Sequence, residues 1–146
     1  MQINPDFNSS AFTIRSYRAH EIDVFKPIKI EELQALEEKS NEPVKTYVTL
    51  NKSFVVTPEK LIENWSLENP HILEERHFQE LASLKPEIIL IGTGKRMHFS
   101  DPLLTLPLQQ AGIGVEFMDT AAACRTYNYL VSDSRKVAAA IFMIED

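Results

Sequence analysis

Cysteine is nearly absent. Cys124 is the single one in 146 residues, so no intramolecular disulfide can form, and the composition fits a reducing compartment. Positive charge is also in short supply, with 15 Lys+Arg against 21 Asp+Glu and a net charge of −6. Residues 1–86 carry 10 basic and 14 acidic side chains, and residues 87–146 carry 5 and 7. Neither half is basic, which argues against a broad nucleic-acid footprint. Long hydrophobic runs are missing too. The longest clearly apolar run covers residues 137–144, far short of the about 20 residues that a membrane helix needs. The first residues, MQINPDFNSSAF, lack the basic and apolar regions of a signal peptide, and no arginine precedes Arg15. The expectation is a soluble cytoplasmic protein without a transmembrane segment.

What is present is ordinary for a globular protein, with 44% hydrophobic and 25% charged residues. A chain of this length can bury a core without staples. One domain over 1–146 is expected, with a β-rich part at about 10–58 and a β-α-β-α-β part at about 87–145. No internal repeat or low-complexity segment occurs. Residues 12–18 and 22–25 read as short strands. Val44, Thr46, Val48 and Leu50 alternate against Lys45, Tyr47 and Thr49, the period-two pattern of a half-buried strand. Asn51-Lys52 reads as a turn and residues 53–56 as the returning strand. EELQALEEKS offers only Leu33 and Leu36 as a narrow apolar stripe, so it reads as a surface excursion. Thr57-Pro58-Glu59 has the signature of a helix start. Residues 73–84 read as a helix stopped by Lys85-Pro86.

From Glu87 the pattern becomes regular. Residues 88–91 form a continuous apolar strand. Asp101-Pro102 opens a helix that Gly112 closes, with Pro107 inside it to kink it or delay its start. Residues 115–118 are the next strand. Asp119 or Thr120 caps a helix running to about Val131. VAAAIFMI is apolar on both faces, as a central strand covered by helices should be.

The stretch EIILIGTGKRMHF, residues 87–99, raises the functional question. A Walker A loop needs Gly, four residues, then Gly-Lys-Ser/Thr. Here the first glycine is replaced by Ile89 and the hydroxyl residue by Arg96. A dinucleotide loop needs Gly-x-Gly-x-x-Gly; Gly92 and Gly94 fit, but Met97 holds the third position. Asp119 at the end of the next strand resembles a ribose-binding acid, yet HFSDP separates the glycines from the following helix. An anion or other polar ligand near Lys95 and Arg96 stays open, because strand C-terminal ends are where open α/β sheets bind ligands. The blander reading is a glycine turn with solvated basic side chains.

The second constellation is DTAAACRTYNYL, residues 119–130. Cys124 lies early in its helix beside Arg125, and both features favour a thiolate. No histidine stands at a telling position to act as its base. Buried small-residue packing is favoured, since free cysteine is among the most buried residue types. Arg125, Tyr127 and Asn128 are polar in a helix otherwise made to be covered. They read equally as a structural hydrogen-bond network or as a pocket lining. His20, His71 and His77 lie apart from His98 in the sequence, and Glu74-x-x-His77 is a single copy of a spacing that di-iron bundles use twice. No metal site and no cofactor is expected.

IGTGKRMHF, AGIGVEFMDTAAACRTYNYL and VAAAIF together resemble the C-terminal signature of a family of small α/β proteins. That family includes mitochondrial complex I assembly factor 3 and bacterial stand-alone members. The resemblance covers about residues 10–145 and is specific from Glu87 onward. It implies a three-layer α/β domain with a mixed central sheet and an attached N-terminal β-rich part. It implies membership through Gly92, Thr93, Gly94, Asp119, Cys124, Arg125, Tyr127 and Asn128, and no particular reaction. The leading expectation is a non-catalytic binding or assembly-factor-like protein. It would act on an unknown protein partner or a small polar ligand near the 92–98 loop, with Lys95, Arg96, Asp119 and Arg125 at hand. The alternative is a small-molecule or nucleotide-binding enzyme or sensor that uses that loop or Cys124.

Overall fold

The structure, a computed structural model, describes residues 10–65 and 67–145. β1 (Thr13–Arg18), β2 (Glu21–Phe25) and β3 (Tyr47–Leu50) form an antiparallel sheet in that order. Alternation along β2 turns Ile22 and Val24 inward, where both are fully buried. The excursion between β2 and β3 contains α1 (Ile30–Lys39), which buries Leu33 and leaves Leu36 exposed. Its stripe is as narrow as the sequence implied.

Two expectations fail in this region. The strand at 53–56 does not return along β3. β4 (Phe54–Val56) instead joins a second sheet, between β5 (Leu61–Ile62) and β8 (Val137–Ile141). Phe54, Val55 and Val56 are buried on both faces, so β4 needs cover on both sides, which the half-exposed β3 sheet does not provide. The helix expected at Thr57-Pro58-Glu59 is absent. The Thr57 hydroxyl accepts from the amides of Glu59 (3.2 Å) and Lys60 (2.9 Å), and the Thr57 amide donates to the Lys60 carbonyl at 2.8 Å. The same side-chain bonds that can cap a helix here close a tight turn. Leu61 and Ile62 then pair back onto Val56 and Val55.

The second sheet has the order β5-β4-β8-β6-β7, with β6 (Ile88–Gly92) and β7 (Gly114–Met118). β8, β6 and β7 pair in parallel, whereas β4 pairs antiparallel with both β8 and β5, so the sheet is mixed. β8 takes the middle position, as a strand apolar on both faces requires. On one face Leu90, Ala139 and Ile141 pack with α4 (Thr120–Ser132), and α4 in turn packs on β1. On the other face Ile89, Ile91, Ala140 and Phe142 pack with α2 (Glu75–Ala82) and α3 (Pro102–Gln110). The result is three α/β layers with the N-terminal sheet attached over α4. α2 is shorter than expected because Glu74 forms its cap. The Glu74 amide donates to His77 Nδ1 at 2.8 Å, so this Glu-x-x-His pair is a capping box. α3 starts at Pro102 under the Asp101 cap and carries Pro107 inside it, so Pro107 does not delay the start.

Candidate functional site

Strands β6, β7 and β8 end together at their carboxyl ends, and the 92–98 loop lies there. A Cβ on Gly92 would stand 3.0 Å from Ala123 Cβ and 3.2 Å from Thr120 Cα. Glycine is therefore needed for α4 to cross close over β6. Gly94 takes φ +96°, a left-handed turn that an L side chain strains. The turn is locked from within. The Thr93 amide donates to the Met118 carbonyl at 2.9 Å. The Gly94 amide donates to Thr120 Oγ1 at 2.8 Å. The His98 amide donates to Thr93 Oγ1 at 3.1 Å, and that hydroxyl donates to the Arg96 carbonyl at 2.6 Å. A phosphate cradle needs backbone N–H groups aimed at the ligand. Here the amides of 93, 94 and 98 are committed inward.

Thr120 is the joint. Its buried hydroxyl accepts from Gly94 and donates to the Phe142 carbonyl at 2.6 Å. Its amide donates to the Gly94 carbonyl at 2.8 Å, and the Phe142 amide donates to the Gly92 carbonyl at 2.9 Å. The end of β6, the start of α4 and the exit of β8 are thus tied to one side chain.

The side chains of Lys95, Arg96 and Met97 face solvent. Among the described residues neither Lys95 nor Arg96 enters a salt bridge. Thr93, Gly94, Lys95, Arg96 and His98 line a cleft of about 590 Å³, to which Glu68, His71, Met143 and Glu145 also contribute. The separation of the histidines in sequence does not hold in space. The rings of His71 and His98 meet with centroids 4.3 Å apart at 65°. Still, no group of three or more potential metal-ligating side chains occurs among the described residues.

The second signature segment serves a different purpose. The Asp119 carboxylate caps α4 by accepting from the Ala122 amide at 2.8 Å. Cys124 is buried in the core. Burial pushes its thiol up to about 12, against the opposing charge of Arg125 and with the help of Asp119. The helix start therefore yields no thiolate at neutral pH. Tyr127 donates its hydroxyl to the Phe12 carbonyl at 2.8 Å, and burial raises that phenol well above its ordinary range. Asn128 bonds Ile14 twice, donating to its carbonyl and accepting from its amide, each at 2.8 Å. Arg125 is exposed and donates to the Tyr17 hydroxyl at 2.8 Å. These residues fasten α4 to β1 and the chain just before it.

Of the ten candidates, Thr93, Gly94, Lys95 and Arg96 share the cleft. Gly92 and Asp119 shape the chain beside it. Cys124, Arg125, Tyr127 and Asn128 join layers of the fold. Sequence reasoning missed Glu68, His71, Met143 and Glu145. Glu68, Met143 and Glu145 sit outside regular elements and His71 in the single 3-10 turn Pro70–Ile72, none of which periodicity can place, and only the packing of the connector before α2 brings His71 to His98.

Residues 14–142 match the family model described as "Protein of unknown function (DUF498/DUF598)". The chain belongs to this family. A Xenopus tropicalis relative, NADH dehydrogenase [ubiquinone] 1 alpha subcomplex assembly factor 3, is 42% identical over 69 residues, covering 47% of this chain and 38% of that protein. A Francisella tularensis relative named 13 kDa major membrane protein is 36% identical over 69 residues, covering 47% of this chain and 56% of that one. The chain thus spans about half or less of the length of the curated relatives it matches. A Bordetella parapertussis protein solved by crystallography superposes with a TM-score of 0.72 at 30% identity, over 92% of this chain and 97% of that one. That protein therefore shares this mixed α/β architecture. No helix among the described residues is long and apolar enough to cross a membrane.

Proposed function

We propose that this protein is a non-catalytic, assembly-factor-like binding protein of the cytoplasm, acting through the 92–98 loop and its cleft on a protein partner or a small polar ligand. The observation that carries the reading is the division of labour in the loop. The amides of Thr93, Gly94 and His98 are spent inward, while the side chains of Lys95 and Arg96 stand unpaired among the described residues at the carboxyl ends of parallel strands. That is the place where open α/β sheets receive ligands. Recognition then falls to side chains, which suits a partner surface better than a phosphate. The Xenopus relative, named as an assembly factor, supports a protein as the partner. The one free thiol supports a reducing, cytoplasmic setting.

The test reverses the loop's charge. Lys95→Glu with Arg96→Glu should deplete the proteins co-purified from the native cell, measured by quantitative mass spectrometry against wild type. An unchanged set of partners sinks the loop's role. Thermal-shift titration with nucleotides and phosphorylated metabolites addresses the enzyme or sensor reading. A true ligand at 100 times its Kd would add about 2.7 kcal/mol of stability, and a concentration-dependent rise of that size would favour that reading instead.

A further inference from the structure

Beyond the cleft, the loop leads into the most exposed of the large hydrophobic side chains among the described residues. Phe99 is 73% exposed and Leu103 is 72% exposed, with Met97 and Leu106 beside them in sequence at 51% and 42%. Phe99 is anchored to the core. The Phe99 ring lies 6.0 Å from Phe117 of β7, and Phe117 lies 6.3 Å from buried Phe78, so an aromatic chain runs from the surface into the core. Leu103 and Leu106 are one helical turn apart on the outer face of α3, while Leu104 and Leu108 pack inward. Large apolar side chains left exposed along one short stretch of loop and helix are what an interaction surface requires.

Charge says what the surface receives. Arg15, Arg18, Arg76 and Arg135 each pair with a carboxylate, and Arg125 has the Tyr17 hydroxyl. Arg96, directly before Met97, is the arginine without such a partner among the described residues, and Lys95 beside it, like the other lysines, enters no salt bridge there. Glu68 and Glu145 line the cleft with them, but neither forms a salt bridge to Lys95 or Arg96, so on a chain of net charge −6 two unpaired cations next in sequence to the apolar residues complement a segment that is itself acidic and apolar. An anionic bilayer fits less well, because the protein's overall charge opposes approach. A second copy fits less well too, because a two-fold contact centred here would bring Lys95 and Arg96 against themselves.

We infer that Met97, Phe99, Leu103 and Leu106, flanked by Lys95 and Arg96, form a docking surface for a partner-protein segment carrying acidic residues beside large apolar ones. This rests on the proposed partner-binding role of the loop and extends it onto α3.

The experiment is a selection of random displayed peptides on the full chain, with Leu103→Glu/Leu106→Glu as counter-selection. Both leucines are exposed, and the variant's melting curve checks that it folds. Enriched peptides should carry Asp or Glu next to two or more large apolar residues. A synthetic copy of the strongest should lose about tenfold in affinity or more on the double-leucine variant and on Lys95→Glu/Arg96→Glu. No enrichment over the counter-selection, or enrichment of peptides without acids, overturns the inference. So does leucine-dependent binding to vesicles of phosphatidylglycerol in phosphatidylcholine, or leucine-dependent self-association in sedimentation. If charge reversal depletes the native partners and the leucine variant does not, this inference fails while the loop reading stands. If neither variant changes them, both fail.

Discussion

Replacing Thr120 by valine removes one hydroxyl and nearly preserves the side chain's shape, so it isolates the bonds that hold the loop. Two are lost: the one accepted from the Gly94 amide at 2.8 Å and the one donated to the Phe142 carbonyl at 2.6 Å. Thr120 is 0% exposed and Phe142 1% exposed, so the abandoned partners do not regain water freely. Each buried group left without a partner costs about 1–3 kcal/mol, and with partial relaxation the pair should cost about 2–4 kcal/mol. At roughly 3–4 °C per kcal/mol for a domain of this size, melting should fall by about 6–16 °C. Urea unfolding should show a lower midpoint at unchanged slope. Thr120→Ser is the control. It keeps the hydroxyl and loses a methyl group, costing about 1 kcal/mol. A valine variant no less stable than the serine variant would refute the claim that this hydroxyl ties β6, α4 and β8 together.

Three further outcomes are expected. Cys124, with its thiol pushed up to about 12 by burial, should stay unmodified by thiol reagents at pH 8 in the native protein and react at once in denaturant; rapid native labelling would contradict its burial. Asp23 is also buried, which alone would raise its pKa. Bonds from Thr49, Ser16 and Arg18, with the charge of Arg18, outweigh that and hold it below its ordinary 3.8. The stabilisation is thus fully present above about pH 4 and fades as pH falls through the lower folded value. Asp23→Asn should therefore cost stability at neutral pH, by about 1–3 kcal/mol, and the gap from wild type should narrow on acid titration below pH 4. Asn128→Ala removes both bonds to Ile14 and should cost about 1–3 kcal/mol. Faster hydrogen exchange at the Ile14 amide is its specific sign, and unchanged protection there would deny the anchor.

The sequence already spells out the second half of the fold. Residues 87–141 alternate apolar strands with capped helices, and each signal is local. Asp119 caps α4, Asp101 and Pro102 open α3, and VAAAI reads as two-faced and therefore central. It also showed, through Ile89, Arg96 and Met97, that the glycine turn lacks residues that known phosphate loops require. Tertiary structure alone decided three matters. It sent β4 into the second sheet, because Phe54 to Val56 need cover on both faces and local pattern cannot say which sheet offers it. It turned Thr57-Pro58-Glu59 into a hairpin turn, because a capping hydroxyl serves a turn as well as a helix. And it separated the two signature segments by role, sending Tyr127 and Asn128 to β1 while Lys95 and Arg96 face solvent. Side-chain chemistry is written in the sequence. Which side chains share a surface depends on long-range packing, and His71 against His98 is the plainest case.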